Sequence, residues 1–304
     1  MEKNMYSRVE QPLFKGSLVA LITPFKNDKV DEQSFRKLID WQIEQGTQGL
    51  VPAGTTGECP TLSHKEHKRI VEICIEQTAG RIPIIAGAGS NSTNEAIEFT
   101  LHAAKAGADA VLHVLPYYNK PTQEGMFRHF EAINNAIDIP IIIYNIPNRS
   151  AIDMSLVTMK RCYEQLKNIV GVKDATADLV RPIKYRMAMG RNFCQLSGED
   201  ASVLPYLSHR GHGCISVTAN IAPRQLFDLH IAWQNRDLDT AFTINEQLQP
   251  LHEALFCESS PGPVKYAASL LGICESTSRL PISEIADESK AMIKNAMCQA
   301  GLIS

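Results

Sequence analysis

Ile139-Pro140-Ile141-Ile142-Ile143-Tyr144-Asn145 and Ile169-Val170-Gly171-Val172-Lys173 are the stretches that decide the fold. Each is a short, continuous apolar run that ends in polar residues. Strands buried on both faces, as in a helix-covered parallel sheet, have this composition. Six further runs read the same way: Ser17–Thr23, Gly49–Ala53, Ile82–Gly87, Ala110–Leu115, Phe193–Ser197 and Cys214–Val217. Amphipathic stretches lie between them. Asp31 to Gln45 repeats Phe35, Leu38, Ile39, Trp41 and Ile43 at roughly helical spacing. Ser63 followed by Glu66 is a capping box that opens the next helix. Thr93 to Ala106 stops at Gly107, and Thr122 starts a helix through Asn135. Strand starts recur about every 20 to 33 residues, the length of a βαβ unit, and eight units predict an α/β fold, a closed (β/α)8 TIM barrel. A doubly wound open sheet is the competing arrangement, but it usually has fewer strands, and no G-x-G-x-x-G turn follows the first strand.

The barrel is expected to occupy residues 1–235. Residues 236–304 read as helices only, over Leu238–Ala254, Gly262–Leu271 and Ile282–Ala300, and predict a small C-terminal helical domain. No low-complexity linker separates the two, so a fixed arrangement is expected.

Composition removes several function classes. The chain has 304 residues, 44% hydrophobic and 21% charged, with a net charge of -3. It is long enough to bury a large core and too apolar to be disordered. Nucleic-acid and anionic-membrane partners require clustered Lys and Arg, so neither is expected. Eight cysteines are scattered through the chain with no C-x-x-C pair, which points to a cytoplasmic protein and not a disulfide scaffold. Met1 to Lys15 holds no apolar core of a signal peptide. Runs such as Ile139–Ile143 are far too short to span a membrane. Nine histidines show no H-E-x-x-H spacing, so no metal is expected. His64 and His67 share a helix face, as a ligand pair, a small-molecule contact or solvated surface would.

In such a barrel the active site lies at the carboxyl ends of the strands. Lys173 is the most informative residue there. Burying an ammonium costs several kcal/mol unless it is paired or neutral. Desolvation lowers a lysine pKa toward ~7–8, and the neutral amine can then form a Schiff base with a carbonyl. The competing reading is a structural lysine paired with Asp174 or Glu199. Tyr144, at the end of the neighbouring strand, could shuttle protons, or pack with its hydroxyl satisfied; Tyr118 carries the same ambiguity. Gly54-Thr55-Thr56-Gly57 offers hydroxyls and amides for a small carboxylate, or is an ordinary βα turn. Arg149 suits a second carboxylate, or is a solvated charge. Together these residues would serve the condensation of an α-keto acid with an anionic aldehyde.

Six motifs, in order along essentially the whole chain, resemble one family. They are Gly54-Thr55-Thr56-Gly57-Glu58, Pro116-Tyr117-Tyr118-Asn119, Tyr144-Asn145-Ile146-Pro147-Asn148-Arg149, Gly171-Val172-Lys173-Asp174-Ala175-Thr176, Ser197-Gly198-Glu199-Asp200 and the run from Gly211 to Asn220. The chain resembles the dihydrodipicolinate synthases, of the pyruvate-dependent class I aldolase superfamily that includes N-acetylneuraminate lyase. Gly-Thr-Thr-Gly-Glu and Arg149 look like the synthases. The alternative is a related aldolase or lyase acting on a sugar acid, N-acetylneuraminate or a 2-keto-3-deoxy acid.

The resemblance implies a Schiff-base enzyme of lysine and diaminopimelate biosynthesis that joins pyruvate and L-aspartate 4-semialdehyde and needs no cofactor beyond the covalent imine. Lys173 would carry the imine. Tyr144, Thr55 and Tyr118 would form a proton relay, with Tyr118 reaching in from a neighbouring subunit of a homotetramer built from dimers. Thr56 would hold the pyruvate carboxylate and Arg149 that of aspartate semialdehyde, while the backbone at Gly198 and Ile215 would line the pocket. L-Lysine is expected as a feedback effector, at positions matching Cys59, Pro60, His64, His67, Asn91, Glu95 and Tyr117. The chain departs from the family pattern at Asp174, where Glu is usual, at Ala177 for Gly and at Cys59 for Ser. The first ~12 residues extend beyond the family's usual start.

Overall fold

A computed structural model describes residues 12–304. The expected absence of a signal peptide and the N-terminal extension fall almost wholly on residues 1–11, outside the described residues.

Eight parallel strands form one sheet: β1 (Gly16–Ala20), β4 (Leu50–Val51), β5 (Ile85–Gly87), β6 (Ala110–Val114), β7 (Ile141–Asn145), β8 (Ile169–Asp174), β9 (Cys194–Ser197) and β10 (Gly213–Ser216). Hydrogen-bonded neighbours follow the order β4-β1-β10-β9-β8-β7-β6-β5, and a parallel bridge from Leu50 to Ile84 returns the order to the start of β5. This is the (β/α)8 barrel expected from the sequence, and each of the eight apolar runs supplies one strand. Two further strands, β2 (Phe25–Lys26) and β3 (Lys29–Val30), form a hairpin that the pattern of apolar runs does not reveal. Its turn residues Asn27 (φ 50°) and Asp28 (φ 60°) take the left-handed conformation that a two-residue hairpin requires and that Asn and Asp tolerate.

The chain divides into two compact units. One comprises residues 85–215 with the described residues 12–15. Its strands are buried almost without exception, and α3 (Thr93–Ala106), α4 (Gln123–Ala136), α6 (Leu156–Gln165), α7 (Arg181–Met189) and α8 (Val203–Ser208) alternate with them. Phe127, Phe130 and Ile133 of α4 and Met159 and Cys162 of α6 are the buried stripes of those helices. Thr122 caps α4 by accepting a hydrogen bond from Gly125 N, and α3 ends at Gly107 (φ 103°), both as the sequence predicts.

The other unit comprises residues 16–84 and 216–304. It holds β1, α1 (Glu32–Glu44), α2 (His64–Thr78), α9 (Pro223–Gln234), α10 (Leu238–Ala254), α11 (Gly262–Leu270) and α12 (Asp287–Gln299). Asn220 ties the start of the chain to its later part: its amide nitrogen donates to Ala20 O at 2.8 Å and its oxygen accepts from Ile22 N at 3.0 Å. The capping box of α2 forms as read, with Ser63 N donating to Glu66 Oε2 at 2.9 Å. α12 begins at Asp287, five residues later than the sequence suggested. Ile285 is buried there and Ala286 N donates to Glu258 Oε1, so this stretch is held extended by packing. Among the described residues no helix is long and apolar enough to cross a membrane.

Candidate active site

Lys173 and Tyr144 are the penultimate residues of β8 and β7, and the parallel register pairs them directly. Both are buried, at 5% and 6% exposure. The Lys173 Nζ lies 4.3 Å from the centre of the Tyr144 ring. On the other side, Gly198 follows β9 and donates its N–H to Asp174 O at 2.7 Å. A Cβ at Gly198 would stand 3.1 Å from Lys173 Cε and 2.7 Å from Ala175 Cβ, so this glycine leaves the room that the lysine stem occupies. Ile215, on β10, is fully buried.

The competing reading, a lysine held by Asp174, fails for a concrete reason. The Asp174 carboxylate is already engaged. Oδ1 accepts from Thr176 N (3.0 Å) and Oγ1 (2.6 Å), and Oδ2 accepts from Arg181 Nε (3.1 Å) and Tyr185 OH (3.0 Å). Arg181 is fixed in turn by Asp153 at 2.9 Å and Met154 O at 3.0 Å. Burial pushes the Tyr185 hydroxyl well above the usual tyrosine range, and the Asp174 charge adds to it, so that hydroxyl stays a donor. Glu199, the other candidate partner, carries a carboxyl raised by burial and by Asp200. Among the described residues Lys173 forms no ion pair with a carboxylate.

The contrast with Lys265 on α11 is direct. It is equally buried and also lies over an aromatic ring, 4.2 Å from the centre of Phe25. Yet its Nζ is bound to Glu58 Oε1 at 2.7 Å, with side-chain exposures of 0% and 1%. Of these two buried amines, only Lys173 is left for chemistry.

Two of the other expected residues of the first unit lie on exposed turns. Arg149 stands on a single-turn helix, α5 (Pro147–Ser150), that starts just beyond β7, and it is exposed. Tyr118 is 89% exposed with φ 71° in the turn after β6. Asn119 Nδ2 donates to Asn91 O at 2.9 Å, which brings the Tyr117-Tyr118 turn beside Asn91, and Glu95, in the first turn of α3, accepts from Ser90 Oγ.

In the second unit, Thr55 and Thr56 occupy the turn after β4, with Thr56 buried at 5%. Cys59 and Pro60 form a 3-10 turn over Cys59–Thr61, and His64 and His67 open α2, the first exposed and the second buried. Sequence reasoning missed the Asp174–Arg181–Tyr185 cluster and the Glu58–Lys265 pair. Arg181 and Tyr185 do lie one helical turn apart just after Lys173-Asp174, a signal that could have been read; no spacing links Lys265 to Glu58.

The chain matches the dihydrodipicolinate synthetase family over residues 13–300. It is 62% identical to the 4-hydroxy-tetrahydrodipicolinate synthase of Bradyrhizobium diazoefficiens over 96% of this chain and 98% of that protein. Among solved structures, it resembles the chloride-inhibited dihydrodipicolinate synthase of Acinetobacter baumannii complexed with pyruvate, at TM-score 0.92 and 44% identity over 95% of this chain and 99% of that one. The Cyanidioschyzon merolae enzyme with lysine bound is similar at TM-score 0.93 and 38% identity, over 96% of this chain and 100% of that one. The chain belongs to the dihydrodipicolinate synthetase family.

Proposed function

We propose that this chain condenses pyruvate with L-aspartate 4-semialdehyde to give 4-hydroxy-tetrahydrodipicolinate, as the first committed step toward diaminopimelate and lysine. The observation that carries the reading is Lys173: buried, stem against Gly198, amine over the Tyr144 ring, and free of any carboxylate partner among the described residues. Its amine attacks the keto carbon of pyruvate, and loss of water leaves an imine. Loss of a methyl proton gives the enamine, whose carbon attacks the aldehyde. The new alkoxide takes a proton, and the amino group of the second substrate displaces Lys173 from the imine carbon and closes the ring. The imine is the electron sink, so no further cofactor is required. Tyr144, with Thr55 and Tyr118, moves the protons; Thr56 holds the pyruvate carboxylate, Arg149 that of the semialdehyde, and Gly198 and Ile215 line the pocket.

Borohydride reduction in the presence of pyruvate, followed by peptide mapping, tests this. The expected result is a reduced pyruvyl adduct on Lys173. No adduct, or one on Lys265, overturns it. Turnover of aspartate semialdehyde, and none of N-acetylneuraminate or 2-keto-3-deoxy acids, is expected in the same preparation. The sugar-acid alternative is not favoured, since close relatives over nearly the whole chain are named as the synthase.

The chain works in the cytoplasm as a homotetramer of dimers, with Tyr118 acting across a subunit boundary. A tyrosine held 89% exposed on a strained turn is what such a role would leave in one subunit. Ultracentrifugation is expected to show a tetramer; a monomer with full activity overturns the assignment. L-Lysine acts as an effector through Cys59, Pro60, His64, His67, Asn91, Glu95 and Tyr117. Unchanged activity in millimolar L-lysine overturns that part alone. The domain reading, a barrel over residues 1–235 and a helical domain over residues 236–304, rests on the succession of α10, α11 and α12 with no strand between them.

A further inference from the structure

We infer that Glu58 and Lys265 are positioning residues that hold Thr55 and Thr56 in place, an inference that rests on the function proposed above. Glu58 closes the turn that carries both threonines. Its backbone is left-handed (φ 57°), which is uncommon for a residue with a side chain. Its N–H donates to Thr55 O at 3.0 Å, and Gly57 N donates to Gly54 O at 3.1 Å, so the turn is wound on itself. Those backbone bonds shape the turn. They do not fix its orientation.

The Glu58 side chain does that. Oε1 accepts from Lys265 Nζ at 2.7 Å and Oε2 accepts from Arg279 N at 2.9 Å, so both carboxylate oxygens are tied to the chain's last third. The Arg279 guanidinium continues to Thr61 O at 3.0 Å and to Glu66 Oε1 at 2.6 Å. Phe25 lies beneath both cations, 4.2 Å from Lys265 Nζ and 4.4 Å from the Arg279 guanidinium carbon. The segment from Glu58 to Glu66 is therefore gripped at both ends by residues more than 200 positions away.

Stability alone is a poor reason for this construction. A fully desolvated ion pair is often no better than apolar residues of the same size. Its distinctive property is geometric, because neither charge can move without leaving the other buried and unpaired. Hydroxyls that relay protons and hold a carboxylate need that constraint, since displacements of about 1 Å cost roughly 10²-fold in rate. The C-terminal helices thereby acquire a part in the reaction, acting through Glu58.

The test compares Lys265→Met, Lys265→Arg and the double variant Glu58→Gln/Lys265→Met with wild type. Removing both charges together leaves no buried unpaired ion, so the double variant stays folded. The expected result, per folded molecule, is a fall in kcat of about 10- to 100-fold with a raised KM for pyruvate in Lys265→Met and in the double variant. Lys265→Arg recovers part of kcat. Borohydride still traps pyruvate on Lys173 in all of them at saturating pyruvate. Wild-type kcat and KM in a folded double variant overturn the inference. So do activity losses that merely track the unfolded fraction. If the wild type itself traps no pyruvate on Lys173, the function reading falls, and this inference with it.

Discussion

Two lysines of one chain, both buried and both over an aromatic ring, have opposite fates because of one carboxylate. Glu58 reaches Lys265 and holds its amine; no such group reaches Lys173 among the described residues. The adjacent Asp174 would be the natural competitor, and Arg181, Tyr185 and Thr176 occupy it. Gly198→Ala tests how closely Lys173 is placed. The added Cβ meets Lys173 Cε at 3.1 Å and Ala175 Cβ at 2.7 Å, so the amine must shift. A fall in kcat of about 10²-fold, with a far smaller change in thermal midpoint, is the expected outcome in a steady-state assay. Tyr144→Phe keeps the ring under Lys173 and removes the hydroxyl proposed to carry the proton. We expect borohydride trapping to survive at long incubation while kcat drops about 10²- to 10³-fold; an unchanged kcat would remove Tyr144 from the relay.

At the scale of elements, the close approach of β8 and β9 and the polar cluster at the end of β8 set the strand that carries Lys173. At Gly171 a Cβ would stand 2.3 Å from Cys194 O, a backbone atom that cannot step aside. Gly171→Ala therefore forces the two strands apart, and we expect a loss of roughly 1–3 kcal/mol in urea denaturation. The cluster makes a second prediction. Asp174→Asn keeps the shape but leaves Arg181, 14% exposed, without its buried partner. Asp153, at 2.9 Å, still compensates part of the charge, so the expected cost is about 3 kcal/mol, near the lower end for a broken buried pair. A cost no larger than that of Asp153→Asn, whose carboxylate is far more exposed, would show that the cluster does not stabilise the strand end.

For the whole molecule, acid sensitivity follows from histidines kept neutral by the fold. Burial pushes His113 from 6.5 down to about 3, with the His129 charge adding to it, and His129 itself down to about 4. Both rings pack edge-on against Phe130. Thr100 Oγ1 donates to Ala96 O, so it accepts from His113 Nε2, and a protonated His113 would bury a second N–H with nothing to bind. His212, whose Nδ1 accepts from Gln195 N, is likewise lowered to about 4, chiefly by burial. Each folded-state value lies below the unfolded one. The stability they supply is therefore complete above pH 6.5 and is lost as the pH falls through 6.5 toward 4. Glu66, held at about 2 chiefly by its hydrogen bond to Arg279, loses its contribution in a lower window, from about 4.5 downward. Urea midpoints measured from pH 7 to 4 should fall first in the histidine window, with a slope of about three protons near pH 5. His113→Leu should flatten that slope; a flat profile in wild type would refute the account. Assembly carries its own prediction. If Tyr118 acts across subunits as proposed, Tyr118→Phe and Lys173→Met, each expected to be nearly inactive alone, should regain activity when co-expressed, because a mixed dimer would pair an intact Lys173 with an intact Tyr118 from its partner. No recovery would place Tyr118 within its own subunit.

The sequence by itself determined the eight strands of the parallel sheet. A run such as Ile141-Ile142-Ile143 has no polar residue to turn toward water, so it must be covered on both faces, and eight such runs at a βα period leave few topologies. It also determined several helix ends, because a cap such as Ser63 with Glu66 and a stop such as Gly107 are local hydrogen-bond and dihedral facts. The residues at strand ends, Lys173 and Tyr144 among them, were legible for the same reason, since position in a strand fixes position in the sheet. Only the tertiary structure decided which partners those residues meet. The register that sets Tyr144 beside Lys173, the room left by Gly198, the capture of Asp174 by Arg181 and Tyr185, and the union of Glu58 with Lys265 all join segments distant in the chain. The late start of α12 belongs here too, because packing of Ile285 and the Ala286–Glu258 hydrogen bond overrode a helical pattern. Hydrophobic periodicity is written into neighbours along the chain. Whether a buried charge is paired or left reactive depends on what the folded chain brings within about 4 Å of it, and that distance has no local code.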